Sequence, residues 1–252
     1  FPLAEYLLHP TLRLSDRLRY GWHLLRLPSD TPSGVVSQAA RMTGARHSLE
    51  RDKQAVTYHY DRSPDFYAIW LDPHMVYSCA YFATSDEDLD TAQARKLDYL
   101  CRKLRLRPGE RLLDIGCGWG GLMVHAVRHY GVRAVGITLS QRQAEFADTL
   151  IKKWGIVDRC RVIVRDYRQL EAQEAYDKIV SVGMVEHVGE AQLPEYFLHA
   201  WRLLKPGGVF LNHGIGARHS ETSTLGPFVN DYIFPDAELL SIASTLGVAE
   251  AA

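Results

Sequence analysis

The feature that most constrains this chain is a glycine cluster that follows an apolar strand and precedes a helix. Residues 112–121 read LLDIGCGWGG, and residues 122–130 have helical spacing. Glycine tolerates positive φ and lets the backbone pass close to a ligand. A lone G-x-G is equally typical of a structural turn. The strand before it and the helix after it favour a loop that holds a nucleoside cofactor.

Strand-like and helix-like segments alternate on both sides of this loop. Five apolar stretches are predicted as strands: Arg111–Gly116, Val132–Ser140, Arg161–Tyr167, Lys178–Met184 and Val209–Gly214. Helices are predicted at residues 91–106, Leu122–Tyr130, Gln141–Trp154 and Gln192–Leu204. Such alternation with short connections predicts a parallel sheet with helices on both faces. Ligands bind such sheets beyond the carboxyl ends of the strands, near the point where the strand order reverses.

The first part of the chain has a different character. It is amphipathic and partly irregular, with breaks at Pro28, Pro32 and Gly34. We therefore predict a helical or irregular extension over residues 1–55 and one domain over residues 56–252. Helices packed on the domain are the favoured interpretation of the extension. A substrate cap, an oligomer contact and a membrane-facing arm stay open, the last because of Arg13, Arg17, Arg19 and Arg26.

Composition and charge exclude several classes of protein. The chain has 29 basic and 30 acidic residues and a net charge of −1, so it lacks the global basic footprint of a duplex nucleic-acid binder. No apolar run approaches the roughly 18 residues that span a bilayer, and no secretory signal is visible.

The four cysteines have neither C-x-x-C nor zinc spacing, so we expect reduced thiols in a cytoplasmic protein. They are Cys79, Cys101, Cys117 and Cys160.

Two histidines on one predicted helix raise the question of a metal. His125 and His129 are four residues apart, a spacing that can chelate an ion. No third ligand is in view, so a solvated helix face is the favoured interpretation and no metal site is predicted.

The spacing of the glycine loop distinguishes two classes of cofactor. A dinucleotide site has G-x-G-x-x-G and an acid about twenty residues later. Here the pattern is G-x-G-x-G-G, and the second strand ends in Thr138-Leu139-Ser140 without an acid. Asp114 instead lies within the first strand. A cofactor without a pyrophosphate does not need a helix N-terminus for phosphate. The pattern therefore favours S-adenosylmethionine over NAD.

Further motifs extend the pattern over roughly residues 56–236. They are HYD at 59–61, YSCAYF at 77–82, AQxxK at 92–96, GITLSxxQ at 136–143, DYR at 166–168, SVGMxEHVG at 181–189, HGIG at 213–216 and YIFP at 232–235. With these motifs the chain resembles the cyclopropane-fatty-acid synthase and mycolic acid cyclopropane synthase family of S-adenosylmethionine-dependent methyltransferases. YSCAY together with VGMxEHVG is specific to this family, whereas ordinary small-molecule methyltransferases share only the glycine loop. The first 50 residues carry no such motif.

The resemblance implies a class I methyltransferase-like (Rossmann-like) fold, doubly wound around a mostly parallel sheet, and a set of cofactor contacts. Tyr77 and Ser78 cover the methionine end, and Thr138 and Gln143 hydrogen-bond the ribose. Asp166 and Tyr167 meet the adenine, although a core aromatic at a strand edge remains an alternative for Tyr167. The predicted cofactor residues are Tyr77, Ser78, Asp114, Gly116, Cys117, Gly118, Gly120, Thr138, Leu139, Ser140, Gln143, Asp166 and Tyr167.

The chemistry that the resemblance implies needs a base near the transferred methyl group. Attack of a cis double bond on the sulfonium methyl leaves a carbocation, so water must be excluded and one proton removed. The family implies a bound bicarbonate ion as this base. By resemblance, its holders are Cys79, Glu186, His213 and the backbone of Ile215. The alternatives are a small buried residue for Cys79 and ordinary structural roles for the polar side chains.

The implied reaction is the transfer of a methylene group from S-adenosylmethionine to an unsaturated acyl chain of a phospholipid. The enzyme is then expected in the cytoplasm, in peripheral contact with the inner face of the membrane. A methyl or methylene branch as product, a protein-bound acyl chain, a non-catalytic S-adenosylmethionine-binding homologue and a small-molecule methyltransferase remain alternatives. The oligomeric state, a homodimer included, stays open.

The family implies further elements after the last predicted strand. These are an antiparallel hairpin at the edge of the sheet and a catalytic tyrosine. The sequence stops at Ala252, and residues 246–252 have the pattern of a helix that leads into the hairpin. We therefore expect these C-terminal edge strands to be missing from this chain.

Overall fold

The structure is a computed structural model that describes residues 15, 16, 19, 22, 39–171, 173, 175–217 and 226–252. The chain divides into two units, Phe1–Gln38 and Ala39–Ala252. The sequence prediction placed the division at residue 55, so the two differ over residues 39–55. Arg13, Arg17 and Arg26 of the predicted arm lie outside the described residues. None of the described helices is long and apolar enough to cross a membrane.

The second unit is built on one sheet of five strands. They are β1 (Arg111–Ile115), β2 (Arg133–Thr138), β3 (Cys160–Val164), β4 (Tyr176–Val182) and β5 (Leu204–His213). Their order is β3-β2-β1-β4-β5, and every neighbouring pair is parallel. The chain runs outward from β1 to β3 and then returns to the other side of β1. The order therefore reverses between β1 and β4, which opens a crevice at their carboxyl ends.

Nine helices precede, connect and follow the strands in the described part of the chain. They are α1 (Leu49–Tyr60), α2 (Pro64–Ala68), α3 (Leu89–Lys103), α4 (Gly121–Tyr130), α5 (Gln141–Lys153), α6 (Val185–Val188), α7 (Leu193–Leu203), α8 (Pro227–Tyr232) and α9 (Ile242–Ala251). Side chains of Ser48, Asp88 and Ser140 cap α1, α3 and α5, each by accepting a hydrogen bond from a backbone N–H of the first turn.

Alternating strand residues divide the core between the two faces of the sheet. Leu112 and Val180 belong to a cluster with residues of α3, α4 and α5. Leu113 and Ile179, one position away on the same strands, belong to a second cluster with residues of α7. Because successive side chains of a strand point to opposite faces, both faces are covered by helices. This confirms the predicted doubly wound α/β fold.

The third strand is shorter than its sequence predicted. The apolar pattern runs to Tyr167, but β3 ends at Val164 and a 3-10 turn covers Tyr167–Gln169. The side chain of Asp166 caps this turn by accepting a hydrogen bond from the Arg168 N–H at 2.9 Å. Local capping by aspartate competes with strand pairing. The cap therefore turns the chain over the carboxyl edge of the sheet.

Gly121, the first residue of α4, brings the glycine loop against the segment before α3. A Cβ placed on Gly121 would lie 2.4 Å from the carbonyl oxygen of His74. Gly121→Ala is therefore expected to lower the free energy of unfolding by about 1–3 kcal/mol, since the loop backbone must move. Urea unfolding measures this change.

Gly247 on α9 provides the matched control, because a Cβ there has no atom within 4 Å. Gly247→Ala is expected to stabilise the protein by up to about 1 kcal/mol through helix propensity. Equal unfolding midpoints for the two variants would contradict the close contact at Gly121.

Candidate active site

A pocket lies at the carboxyl ends of β1, β2 and β4. Its empty space is about 1270 Å³ with the open mouth included. Helix α1 contributes Asp52, Ala55, Val56 and Tyr60 to its lining, a region to which the sequence analysis assigned no role. The predicted cofactor residues that line it are Tyr77, Ser78, Asp114, Gly116, Cys117, Gly118, Thr138, Leu139, Gln143, Asp166 and Tyr167.

Two predicted cofactor residues, Gly120 and Ser140, are not part of this lining. A Cβ on Gly120 would lie 2.9 Å from the Cβ of Ala147, so the glycine allows α4 and α5 to pack closely. The Ser140 hydroxyl accepts a hydrogen bond from the Gln143 N–H at 3.2 Å and donates one to Asp61 at 2.7 Å. Both residues therefore support the packing around the loop, and their contact with the cofactor stays a prediction.

The glycine loop turns sharply beside the pocket. Gly116 and Gly118 have φ values of 76° and 53°. A Cβ on Gly118 would have no atom within 4 Å, whereas one on Gly116 would lie 2.9 Å from Cγ of Met184. Gly118 therefore borders open space, where a ligand can pass close to the backbone.

Two buried polar groups in the pocket lining lack hydrogen-bond partners among the described residues. They are Oδ2 of Asp114 and the indole Nε1–H of Trp119. Asp114 is 2% exposed, and burial raises the pKa of its carboxyl group to about 7. Buried polar atoms without a partner are rare in native proteins. An amino group and polar atoms of a bound S-adenosylmethionine would satisfy them, so the residues present fit this cofactor. Trp119 was not predicted, although it stands within the glycine motif.

The end of β2 carries a polar pair in place of the acid of dinucleotide enzymes. The Thr138 hydroxyl donates to Oε1 of Gln143 at 2.7 Å, and both side chains are buried. Both residues line the pocket. Binding of the ribose by these two residues stays a prediction, and their position in the pocket is compatible with it.

At the far side of the pocket, Asp166 is held by Arg168. Its two carboxylate oxygens accept from Nε and Nη2 of Arg168 at 2.8 and 2.6 Å. Arg168 also donates to Asp52 of α1 at 2.8 Å and to the His47 carbonyl oxygen at 2.9 Å. The tyrosine ring of Tyr167 packs against Tyr196 and His199. Arg168 stands in the DYR motif but received no role from the sequence.

Helix α1 is also joined to the segment after α8 by a group of charged side chains, which we call the ionic clamp. Its members are His47, Arg51, Asp52, Arg168, Asp236 and Glu238. Arg51 binds Asp236 through Nε and Nη2 at 2.6 and 2.9 Å. His47 lies between Asp52 and Glu238, at 3.5 and 3.4 Å. Asp52 and Asp236 also line the pocket. The clamp therefore fixes residues 47–60 as one wall of the pocket.

His47 makes the stability of the ionic clamp depend on pH. The nearby carboxylate of Asp52, with help from that of Glu238, raises the pKa of the imidazole above its usual 6.5. A raised folded pKa stabilises the fold fully below the unfolded value, and this contribution is lost as pH rises through the folded pKa. We expect His47→Asn, which tolerates the positive φ of 57°, to cost about 1 kcal/mol below pH 6.5 and less near pH 9. Urea unfolding at several pH values measures the difference. A constant difference across the range would contradict the assignment.

A tight loop before α3 brings Tyr77 and Ser78, which were predicted to cover the methionine end of the cofactor, to the pocket. Asp72 fixes this loop by accepting from the backbone N–H groups of His74 and Val76, both at 2.9 Å. The Tyr77 ring lies among aromatic neighbours, and its hydroxyl is 3.2 Å from Nε2 of His59. Burial lowers the pKa of His59 to about 4, so this ring is neutral at physiological pH. We call residues 72–79 the lid.

A second cluster of polar groups lies where β4 and β5 end. Glu186 of α6 is 7% exposed, and its Oε1 accepts from the Ile215 N–H at 2.6 Å. Its Oε2 and Nδ1 of His213 are buried without a hydrogen-bond partner in the described structure. Burial raises the pKa of Glu186, and the Ile215 N–H partly offsets this. The structure thus brings together three of the four predicted catalytic residues.

Cys79 follows the lid residue Ser78 and is exposed. The interpretation of Cys79 as a small buried residue is therefore wrong. The other three cysteines are buried free thiols.

Of the two histidines on α4, His129 is exposed, as expected of a solvated face, but His125 is buried. His125 is 9% exposed and its Nε2 has no partner among the described residues. Its ring lies 4.5 Å from the His129 ring and 6.5 Å from the His74 ring, centroid to centroid. The described residues contain no group of three metal-ligating side chains. His125 is buried because the loop that carries His74 crosses α4, which periodicity alone does not show.

The strand order, the glycine loop and the pocket at the strand ends define a class I, Rossmann-like methyltransferase fold. Solved structures agree with this class. The cyclopropane synthase MmaA2 from Mycobacterium tuberculosis is 36% identical with a TM-score of 0.73, covering 79% of this chain and 73% of its own. Mycolic acid cyclopropane synthase CmaA1, solved with SAH and CTAB, is 39% identical with a TM-score of 0.72 and the same coverage.

The sequence pattern of the mycolic acid cyclopropane synthetase family matches residues 47–251. The chain belongs to this family. A probable fatty acid methyltransferase from Pseudomonas putida is 46% identical over 197 residues, which are 77% of this chain and 50% of that protein. Cyclopropane-fatty-acyl-phospholipid synthase from Escherichia coli strain K12 is 42% identical over 206 residues, 80% of this chain and 52% of that protein. The chain thus spans about half the length of these relatives.

Proposed function

We propose that this chain forms the catalytic part of an S-adenosylmethionine-dependent C-methyltransferase that converts a cis double bond of a phospholipid acyl chain into a cyclopropane ring. The observation that carries the proposal is that Oε2 of Glu186 and Nδ1 of His213, at the strand ends beside the cofactor pocket, have no hydrogen-bond partner in the described part of the chain. Relatives named for cyclopropane and fatty acid methyl transfer support the reaction class. The phospholipid is the substrate in the name of the Escherichia coli relative.

The reaction balances with one base. The π electrons of the alkene form a bond to the methyl carbon, and the carbon–sulfur bond electrons stay on sulfur. The carbocation that results loses one proton from the new methyl group, and the electrons of that C–H bond close the ring. The protein must therefore orient the alkene in line with the methyl group, keep water away from the cation and hold a base.

The residues near the lid suit the cation that develops. Burial lowers the pKa of His59 and of His187 to about 4, so both rings are uncharged. Together with Tyr60, Tyr77 and Phe234 they form a cluster with ring centroids 4.3–6.4 Å apart. Aromatic faces attract a nearby cation, whereas charged imidazoles would repel it. The cluster therefore offers a dry and electron-rich wall.

Bicarbonate is the proposed base, held by Glu186, His213 and the backbone at Ile215. This ion, when bound, would accept the proton from the new methyl group. The partnerless Oε2 of Glu186 and Nδ1 of His213 fit an ion that both donates and accepts hydrogen bonds. Glu186 is itself oriented by the Ile215 N–H at 2.6 Å. Cys79 is exposed, and its part in this site remains a proposal.

A peripheral contact with the inner face of the membrane is part of the same proposal, and it places the protein in the cytoplasm. Large apolar side chains are exposed next to the lid, on and after α2. Phe66 is 52% exposed, Ile69 80% and Trp70 42%. Exposed apolar side chains of this size are typical of surfaces that meet a lipid or a partner. Trp70 packs on Tyr77, with ring centroids 4.9 Å apart, so this surface adjoins the pocket.

Mass spectrometry of liposomes tests the proposed function. Monounsaturated phospholipid is incubated with the protein, in the longest form of the chain that can be expressed, and S-adenosylmethionine with a trideuterated methyl group. Saturated phospholipid is the matched control. A cyclopropane keeps two of the three deuterons and resists hydrogenation. Labelled product from the unsaturated lipid only is the expected result, and no labelled lipid with cofactor binding intact would overturn the proposal.

The second candidate is transfer that ends in a methyl or methylene branch. The name of the Pseudomonas putida relative, a probable fatty acid methyltransferase, supports this second candidate. A methyl branch formed by reduction of the cation keeps all three deuterons. A methylene branch keeps two deuterons, but hydrogenation reduces its double bond. The same spectra therefore separate the three products.

A further inference from the structure

Helix α3 presents two buried polar side chains to the lid, and neither has a role in the site described so far. Gln93 and Lys96 belong to the AQxxK motif and lie three residues apart, on one face of the helix. Gln93 is 3% exposed and Lys96 4%. Charged side chains are almost never buried to this extent unless they are paired.

Both side chains bind the lid at Ser78. The ammonium of Lys96 donates to the Ser78 hydroxyl at 2.7 Å and lies 3.5 Å from its carbonyl oxygen. The amide of Gln93 donates to the carbonyl oxygens of Ser78 and Val76, at 2.9 and 3.3 Å. Oε1 of Gln93 is buried and has no hydrogen-bond partner in the described part of the chain. The two residues therefore fix the lid on α3 and leave one polar atom unsatisfied.

The positive charge of Lys96 has no counter-ion among the described residues. Its hydrogen bonds within the described residues go to Ser78, which is neutral. Asp72 is the acid that acts on it electrostatically, but both Asp72 oxygens accept from backbone N–H groups of the lid. Burial of an ammonium without a partner is costly. Lys96 also lines the cofactor pocket, and so does Ser78.

The charge of Lys96 reaches the second polar cluster too. Burial first, and the positive charge of Lys96 second, lower the pKa of His213. The Cys79 thiol also interacts electrostatically with Lys96. Lys96 thus lines the cofactor pocket and acts electrostatically on a residue of the predicted bicarbonate site. An anion bound near Ser78 would provide the missing counter-ion.

We propose that Lys96 is a binding residue for a carboxylate-type anion at the lid, and that Gln93 is a positioning residue that holds the lid to receive it. Two ligands of the reaction have this chemistry, the α-carboxylate of S-adenosylmethionine and free bicarbonate. The proposal rests on the proposed function for the identity of these ligands. It adds a cationic contact that the glycine loop, Glu186 and His213 do not supply.

Binding measurements on the whole chain distinguish the two sources. Lys96→Gln keeps a hydrogen-bond donor for Ser78 but removes the charge. Titration calorimetry compares S-adenosylhomocysteine with 5′-methylthioadenosine, which lacks the amino-acid tail. If the α-carboxylate is the ligand, the variant loses affinity for S-adenosylhomocysteine by about 10- to 100-fold, as for one hydrogen bond to a charged group, and keeps its affinity for methylthioadenosine.

Carbon-13 NMR of labelled bicarbonate, added to the S-adenosylhomocysteine complex, tests the other source. If bicarbonate is the ligand, line broadening is lost in Lys96→Gln while S-adenosylhomocysteine affinity is retained. Lys153→Met, at an exposed position of α5, is the matched control and is expected to change neither measurement. Unchanged binding of both ligands in Lys96→Gln would overturn the proposal.

Hydrogen exchange separates a lost anion contact from a loosened lid. Lys96→Gln is expected to leave amide protection at residues 76–79 within about threefold of the wild type without ligand, because Gln93 still binds the lid. Gln93→Leu is expected to increase exchange there. Equal loss of affinity for both nucleosides, together with faster exchange in Lys96→Gln, would show a structural role only and contradict the proposal. None of these measurements needs a lipid product, so failure of the proposed reaction is recognised separately.

Discussion

Glu186→Gln is expected to reduce transfer to an unsaturated lipid by about 10²- to 10⁴-fold, the range for loss of general acid–base function. The fold should be retained, because the amide oxygen of glutamine can still accept from the Ile215 N–H, now 2.6 Å from Oε1 of Glu186. The second oxygen, which has no partner in the described structure, becomes an NH₂ donor. The bound base then loses the acceptor that orients it. Single-turnover transfer from labelled S-adenosylmethionine measures the loss.

Glu190→Gln is the matched control for this prediction. Glu190 follows Glu186 by one helical turn in sequence, and its side chain is exposed. The transfer rate of Glu190→Gln should therefore equal that of the wild type. Affinity for S-adenosylhomocysteine should change by less than about threefold in both variants, since Glu186 is not part of the pocket lining. Wild-type transfer by Glu186→Gln would show that the glutamate has a structural role only.

Arg168→Met is expected to lower the free energy of unfolding by about 3 kcal/mol and to weaken cofactor binding. Removing one partner of a buried ion pair leaves an uncompensated charge, which costs about 3–5 kcal/mol. Here Asp166 is 5% exposed, and both of its oxygens accept from the guanidinium. The link from Arg168 to Asp52 of α1 is lost as well. Urea unfolding and calorimetric titration of S-adenosylhomocysteine measure the two effects.

Three further variants make this prediction specific. Arg161→Met, at an exposed position of β3, should change stability by less than about 0.5 kcal/mol. Arg168→Lys should lie between the wild type and Arg168→Met, because lysine lacks the planar fork. Asp166→Asn combined with Arg168→Met should recover part of the lost stability, since the unpaired charge is gone. Full stability of Arg168→Met alone would contradict the importance of the pair.

The fold and much of the pocket were predictable from the sequence because they depend on local pattern. Short apolar runs predicted the strands, and helical spacing of apolar residues predicted the helices between them. The glycines of the loop need positive φ, which restricts the residue type at Gly116 and Gly118. Parallel strands end at one edge, so Glu186 after β4 and His213 at the end of β5 were expected near one another.

The tertiary structure decided which residues of distant segments meet. Helix α1 becomes a wall of the pocket through Asp52 and Arg168, 116 residues apart in the chain. Lys96 meets Ser78, 18 residues away, across the turn that Asp72 fixes. Gly120 and Ser140 stand in binding motifs yet serve packing and capping. Burial, unsatisfied hydrogen bonds and missing counter-ions depend on contacts between segments, so the residue pattern of a single segment does not predict them.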